Sequence, residues 1–231
     1  GSAGFAFCAM LAFFVEWPLG RVWVFLPLVL IGVRLVVREA GLRAGMVLTT
    51  SFVLMVLAGH PESLFHVVLC GTLWGGFELL QPGVRRGRAI ALATFCGLLA
   101  LLLTAIALMP FLDAVEQTWD YTLRREGWAR EELDIAGTAV RHRAGASFFP
   151  FVGGQSQGQR WIRTWEPTSL RVGSIIAAFA ILACFTARRA TTWFFAALAI
   201  VAGLAGLNAW PVAHLLHELP LFSIALNDRL A

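Results

Sequence analysis

Residues 89–109 read AIALATFCGLLALLLTAIALM, an unbroken apolar run that follows Arg85, Arg86 and Arg88 and ends at Pro110. A helix rises about 1.5 Å per residue, so a run of about 20 such residues covers the hydrocarbon core of a bilayer. Working outward from it, the apolar residues gather into further blocks: Ala3 to Val15, Val22 to Val37, Gly45 to Ala58, Leu64 to Leu80, Val172 to Ala187 and Thr192 to Trp210. The composition agrees, since 58% of the residues are apolar and 14% charged, well away from the roughly 25% charge of a soluble domain. The expected fold is all-α, a polytopic transmembrane helical bundle of about seven spans with one long structured outer loop. The organisation expected is 1–109 for spans one to five, 110–171 for the extracytoplasmic loop, and 172–231 for the last two spans with an outer segment. Gly45 to Ala58 is short, and taken alone it reads equally as a buried helix of a soluble protein.

The arginines set an orientation, because short loops rich in positive charge stay in the cytoplasm during insertion. Arg38 and Arg43 follow the second block, Arg85, Arg86 and Arg88 the fourth, and Arg188 and Arg189 the sixth. The intervening segments, Glu16 to Arg21, Gly59 to Ser63 and the long stretch from Pro110 to Arg171, then face outward. Arg34 and Glu78 are expected to reach water by snorkelling at the cytoplasmic ends, and His66, deeper in its block, to face the bundle interior. These loops also account for the net charge of +4, so no nucleic-acid partner is implied. The chain has no lysine, which removes Walker-type phosphate binding and Schiff-base chemistry.

Cys8, Cys70, Cys96 and Cys184 lie singly inside apolar blocks, without zinc or redox spacing, and read as small core residues. The tryptophans at block ends and in the long segment suit either an interfacial belt or, for those of the loop, stacking on carbohydrate. Phe111 to Arg125 places Leu112, Val115, Trp119 and Thr122 opposite Asp113, Glu116, Asp120 and Arg124, the pattern of an amphipathic helix lying on a membrane surface. The chain opens inside an apolar run and ends at Asn227 to Ala231, and it is expected to be an excerpt of a longer protein.

Several segments, in order, resemble bacterial YfhO-type membrane proteins. They are Trp17-Pro18-Leu19-Gly20 with Trp23, Leu26 and Pro27; Ala58-Gly59-His60-Pro61-Glu62; Pro110-Phe111-Leu112-Asp113 with Trp119 and Tyr121; Phe149-Pro150 with Gly153; Trp165-Glu166 with Val172 and Gly173; and Leu219-Pro220-Leu221-Phe222 with Arg229. The resemblance implies a GT-C architecture in the bacterial cytoplasmic (inner) membrane, with sugar passed on the outer face from a polyprenyl-phosphate carrier to a cell-surface glycan or lipid. The catalytic carboxylate of such enzymes is expected before Gly1. The alternative is a non-catalytic membrane factor for cell-envelope polymer assembly or export; a transporter would need more polar residues inside the spans.

Such chemistry needs a carboxylate to activate the acceptor and a cation, from arginine or a divalent metal, to stabilise the departing phosphate. On the outer side the candidate substrate-binding residues are His60, Glu62, Asp113, Arg124, Arg125 and Glu166. His60 and Glu62 flank Pro61, where the plainer reading is a helix stop with polar caps. Asp113 reads equally as part of a solvated face, and the arginines as partners of lipid headgroups or nearby acids. His214, His217 and Glu218 form another outer cluster, with a spacing short of the zinc-protease pattern.

Overall fold

The computed structural model of the chain describes residues 18–115, 117–118, 174–187, 189–206 and 211–219. Every regular element among these residues is a helix: α1 (Pro18–Trp23), α2 (Leu26–Arg38), α3 (Leu42–Leu57), α4 (Pro61–Leu79), α5 (Arg86–Val115), α6 (Ser174–Thr186), α7 (Ala190–Gly206) and α8 (Val212–His217). Each apolar block from Val22 onward is mainly helical over its described residues, and Ala3 to Val15 lies outside them. Gly20–Arg38 and Arg86–Val115 are long and apolar enough to cross a membrane, while Leu42–Leu57 and Ala190–Ala205 are shorter apolar helices. The chain divides into two compact units, with α1 to α5 in one and α6 to α8 in the other.

Proline chemistry explains where the helices depart from the apolar blocks. Pro27, in the first turn of α2, has no N–H to carry a helical bond back to Trp23, and the chain turns at Val24 and Phe25. Pro110 has the opposite outcome. It was expected to open the loop, yet α5 runs through it to Val115 as one helix of 30 residues. Proline's fixed φ is already helical, and the bond it forfeits is a single rung of a long ladder. The last turn then tightens, with Gln117 N–H donating to Ala114 O at 3.1 Å and Thr118 N–H to Val115 O at 3.0 Å. The remainder of the expected surface helix lies outside the described residues.

In the first unit α2 is central. It runs antiparallel to α3, with Gly32 against Leu48, and parallel to α4, with Val29 against Gly71 and Val33 against Gly75. At Gly32 the approach is backbone to backbone, since a methyl built there would sit 3.0 Å from Leu48 Cα. Gly71 and Gly75 are one turn apart on α4 and receive the β-branched Val29 and Val33, a small-residue seam of the kind that lets membrane helices pack closely. Trp74 fastens the same seam, its indole N–H donating to Leu30 O at 3.0 Å while the ring stacks on Phe77 at 5.5 Å. Behind α2 and α3 the core of Val36, Ala44, Leu48 and Cys96 closes on α5, where the Cys96 thiol donates to Gly45 O at 3.6 Å.

The outer surface of α5 is different in kind. Ile90, Phe95, Leu98, Leu102, Leu103 and Ile106 are all exposed, and only 22% of its most apolar window is buried. The core helix of a soluble protein would be mostly covered. In the second unit α6 and α7 present the same apolar exterior, including Phe179, Phe185 and Ile200, and Ala205, Ala213 and Leu216 are buried where α7 and α8 lie.

Candidate functional site

The short run Ala58-Gly59-His60-Pro61 builds one end of the first unit, and each residue has a backbone reason to be there. Gly59 has φ +81°, the left-handed conformation that ends α3 and that glycine adopts without penalty. His60 precedes a proline, which excludes the helical region, and it is extended at φ −124° and ψ 95°. Pro61 opens α4, where its missing N–H goes unneeded. The extended backbone turns the His60 ring onto the helix end, so Nδ1 accepts the Ser63 N–H at 3.2 Å. Accepting at Nδ1 puts the proton of a neutral imidazole on Nε2. Glu62 lies in the first turn of α4, where the helix dipole favours an acid.

Beside this cap is a cavity of about 180 Å³. His60, Pro61 and Leu64 line it from the start of α4, Met55 from α3, and Leu108 and Phe111 from α5. Its wall is almost entirely apolar, with the imidazole as its polar side chain. An apolar cavity of about 150 Å³ admits a benzene-sized guest, so this half-open one has room for a few methylene groups.

Of the residues expected to bind substrate, the structure brings His60 and Glu62 to one helix start and places the α5 end that carries Asp113 next to it. The Asp113 carboxylate itself does not line the cavity and is exposed; it follows Phe111 by two positions, about 200° around a helix. Arg124, Arg125 and Glu166 lie outside the described residues. His214 and Glu218 are exposed in and after α8, joined only through backbone, with Glu218 N–H donating to His214 O at 3.2 Å. Among the described residues no three His, Cys, Asp or Glu side chains gather in a way that would hold a metal ion.

A buried polar group lies deeper along α4. His66 is fully buried and stacks on Trp23 at 6.3 Å, as its expected inward orientation requires. Ser63, one turn earlier, is also fully buried, and its hydroxyl has no hydrogen-bond partner among the described residues.

At the opposite end of the unit, Glu78 corrects the snorkelling expectation. Its side chain is only 3% exposed, and one carboxylate oxygen accepts from Arg38 Nε at 2.6 Å. Arg34 approaches the other oxygen at 3.9 Å, with its own side chain 61% exposed. The acid turns inward because two guanidinium groups of the parallel α2 flank its level, Arg34 about half a turn before it and Arg38 about half a turn after. This pair escaped sequence reading, as did the Gly71–Gly75 seam, although four-residue glycine spacing in an apolar run was a visible signal for the latter. No protein family, curated protein or solved structure matches the chain.

Proposed function

We propose that the chain is part of a multi-pass GT-C-like glycosyltransferase of a bacterial cytoplasmic membrane, with the His60 end outward, moving a sugar from a polyprenyl-phosphate donor to a cell-surface polymer or lipid. The observation that carries the reading is the apolar cavity capped by His60, set against the lipid-ready flank of α5. A polyprenyl carrier presents a branched hydrocarbon chain ending in a charged head, and an apolar cavity with one imidazole in its lining suits the part of that chain next to its head. In this reading His60, Glu62 and Asp113 serve binding, while Arg124, Arg125 and Glu166 stay candidates on the sequence alone. The membrane placement rests on the hydropathy of Gly20–Arg38 and Arg86–Val115, the uncovered apolar exterior, and the collection of Arg38, Arg43, Arg85, Arg86 and Arg88 at the far end. Crossings by the remaining blocks complete the seven-span topology.

One observation favours the second reading, a non-catalytic assembly factor: the backbone of the Gly59-His60-Pro61 turn is accounted for by chain geometry alone. Sugar transfer separates the two. Membranes bearing the full protein, given radiolabelled polyprenyl-phosphate sugar, are expected to label acceptor; Leu108→Trp, which fills the cavity, should abolish labelling, and Leu98→Trp on the exposed flank should not. Absent labelling by the native protein would favour the assembly factor, whereas equal labelling by both variants would remove the cavity from donor binding.

A further inference from the structure

We propose that the arginine end of the first unit binds the headgroup of an anionic phospholipid, centred on Arg34 and Arg38 of α2. The proposal rests on the membrane placement above and is independent of sugar transfer. Residues 34–43 and 78–88 carry six arginines against Glu39 and Glu78, a net charge of +4. The antiparallel order of α2 to α5 brings all of them to one end. Glu78 is the acid buried among them, and it is engaged closely by Arg38 alone, at 2.6 Å. Arg34, at 3.9 Å, lies beyond hydrogen-bonding distance in geometry and keeps its side chain 61% exposed.

One carboxylate does not neutralise two guanidinium groups, so the α2 face keeps a positive charge one turn inward of Arg38. At that depth an arginine lays its stem along hydrocarbon and its head at the level of lipid phosphates. The guanidinium fork matches phosphate oxygens in pairs. Arg43, Arg85, Arg86 and Arg88 are exposed around the same end, and Arg86 Nε donates to Leu79 O at 3.0 Å, which fixes its stem beside the close of α4. Glu78 thus does two things: it anchors Arg38, and it competes with the lipid for Arg34.

The test uses the full chain in micelles containing equal phosphatidylglycerol and phosphatidylcholine, with native mass spectrometry counting retained lipid. The native chain should hold phosphatidylglycerol preferentially. Arg34→Gln should weaken that retention about fivefold, the share of one interfacial arginine, and leave phosphatidylcholine unchanged. Glu78→Gln keeps an acceptor for Arg38 but removes the competing charge, and should strengthen phosphatidylglycerol retention at unchanged helicity. Equal retention of both lipids, no effect of Arg34→Gln, or displacement of the lipid by excess soluble glycerol phosphate would overturn the proposal. A chain that does not float with vesicles would overturn the membrane reading as well, whereas flotation without lipid preference would sink this proposal alone.

Discussion

Gly32→Ala is expected to pry α2 from α3. The added methyl would lie 3.0 Å from Leu48 Cα, 3.2 Å from its N and 3.3 Å from its Cβ. Two of those atoms are backbone inside a helix, so no rotamer change relieves the contact and the helices must separate. Overpacking of this kind costs about 1–3 kcal/mol, while alanine gains about 1 kcal/mol over glycine as a helix former. The net loss is then small and easily misread, which makes the control decisive. At Gly97 on α5 an added methyl meets nothing within 4 Å, so Gly97→Ala receives the propensity gain without the clash. Subtracting one variant from the other isolates the packing cost, about 1–3 kcal/mol. The assay is unfolding of detergent-solubilised chain by increasing sodium dodecyl sulfate, followed by far-ultraviolet circular dichroism. Equal midpoints for the two variants would refute the close approach of α2 and α3, and with it the antiparallel register that gathers the arginines.

Glu78→Ala should destabilise the first unit by about 2–4 kcal/mol, towards the lower part of the range for broken buried pairs because Arg38 stays partly solvated; Arg38→Met with Glu78→Met should recover most of the loss, and a double-mutant cycle by the same unfolding assay checks it. Trp74→Phe removes the donor to Leu30 O while leaving an aromatic ring against Phe77, and should cost about 1 kcal/mol; an unchanged midpoint would show that the bond contributes nothing. His60→Ala should lower stability by about 0.5–2 kcal/mol through loss of the α4 cap, and His60→Asp should restore it. In the transfer assay, activity retained by His60→Asp would remove the imidazole from any part in binding.

Helices α2 to α7 were legible because each is written as an apolar run with a proline, glycine or arginine near its end, and those signals act within a few residues; α1, which overlaps the expected loop Glu16 to Arg21, and α8 lack such a run. What escaped is what depends on neighbours far along the chain. Glu78 sits near a helix end, which alone suggests snorkelling; its burial depends on Arg38, which is 40 positions away and adjacent only because α2 and α4 run parallel. The cavity is of the same sort. Leu108 and Phe111 reach His60 because α5 runs parallel to α3 and continues through Pro110, and local preference at proline argued for a stop there. His60 and Glu62 could be picked out as candidates by their place between two apolar blocks, but the hydrocarbon wall beside them could not.

The identity of the residue at position 60 bears on whether that wall has a ligand. A helix start needs only a short acceptor, and serine, threonine, aspartate and asparagine supply one with less side chain to order. Capping therefore explains why position 60 holds an acceptor and why its backbone is extended, but not why the acceptor is an imidazole. What the ring adds is a second nitrogen, on a residue that lines the cavity together with Met55, Leu64, Leu108 and Phe111. With Nδ1 committed to Ser63 N–H, the tautomer is set and Nε2 is a donor of fixed direction.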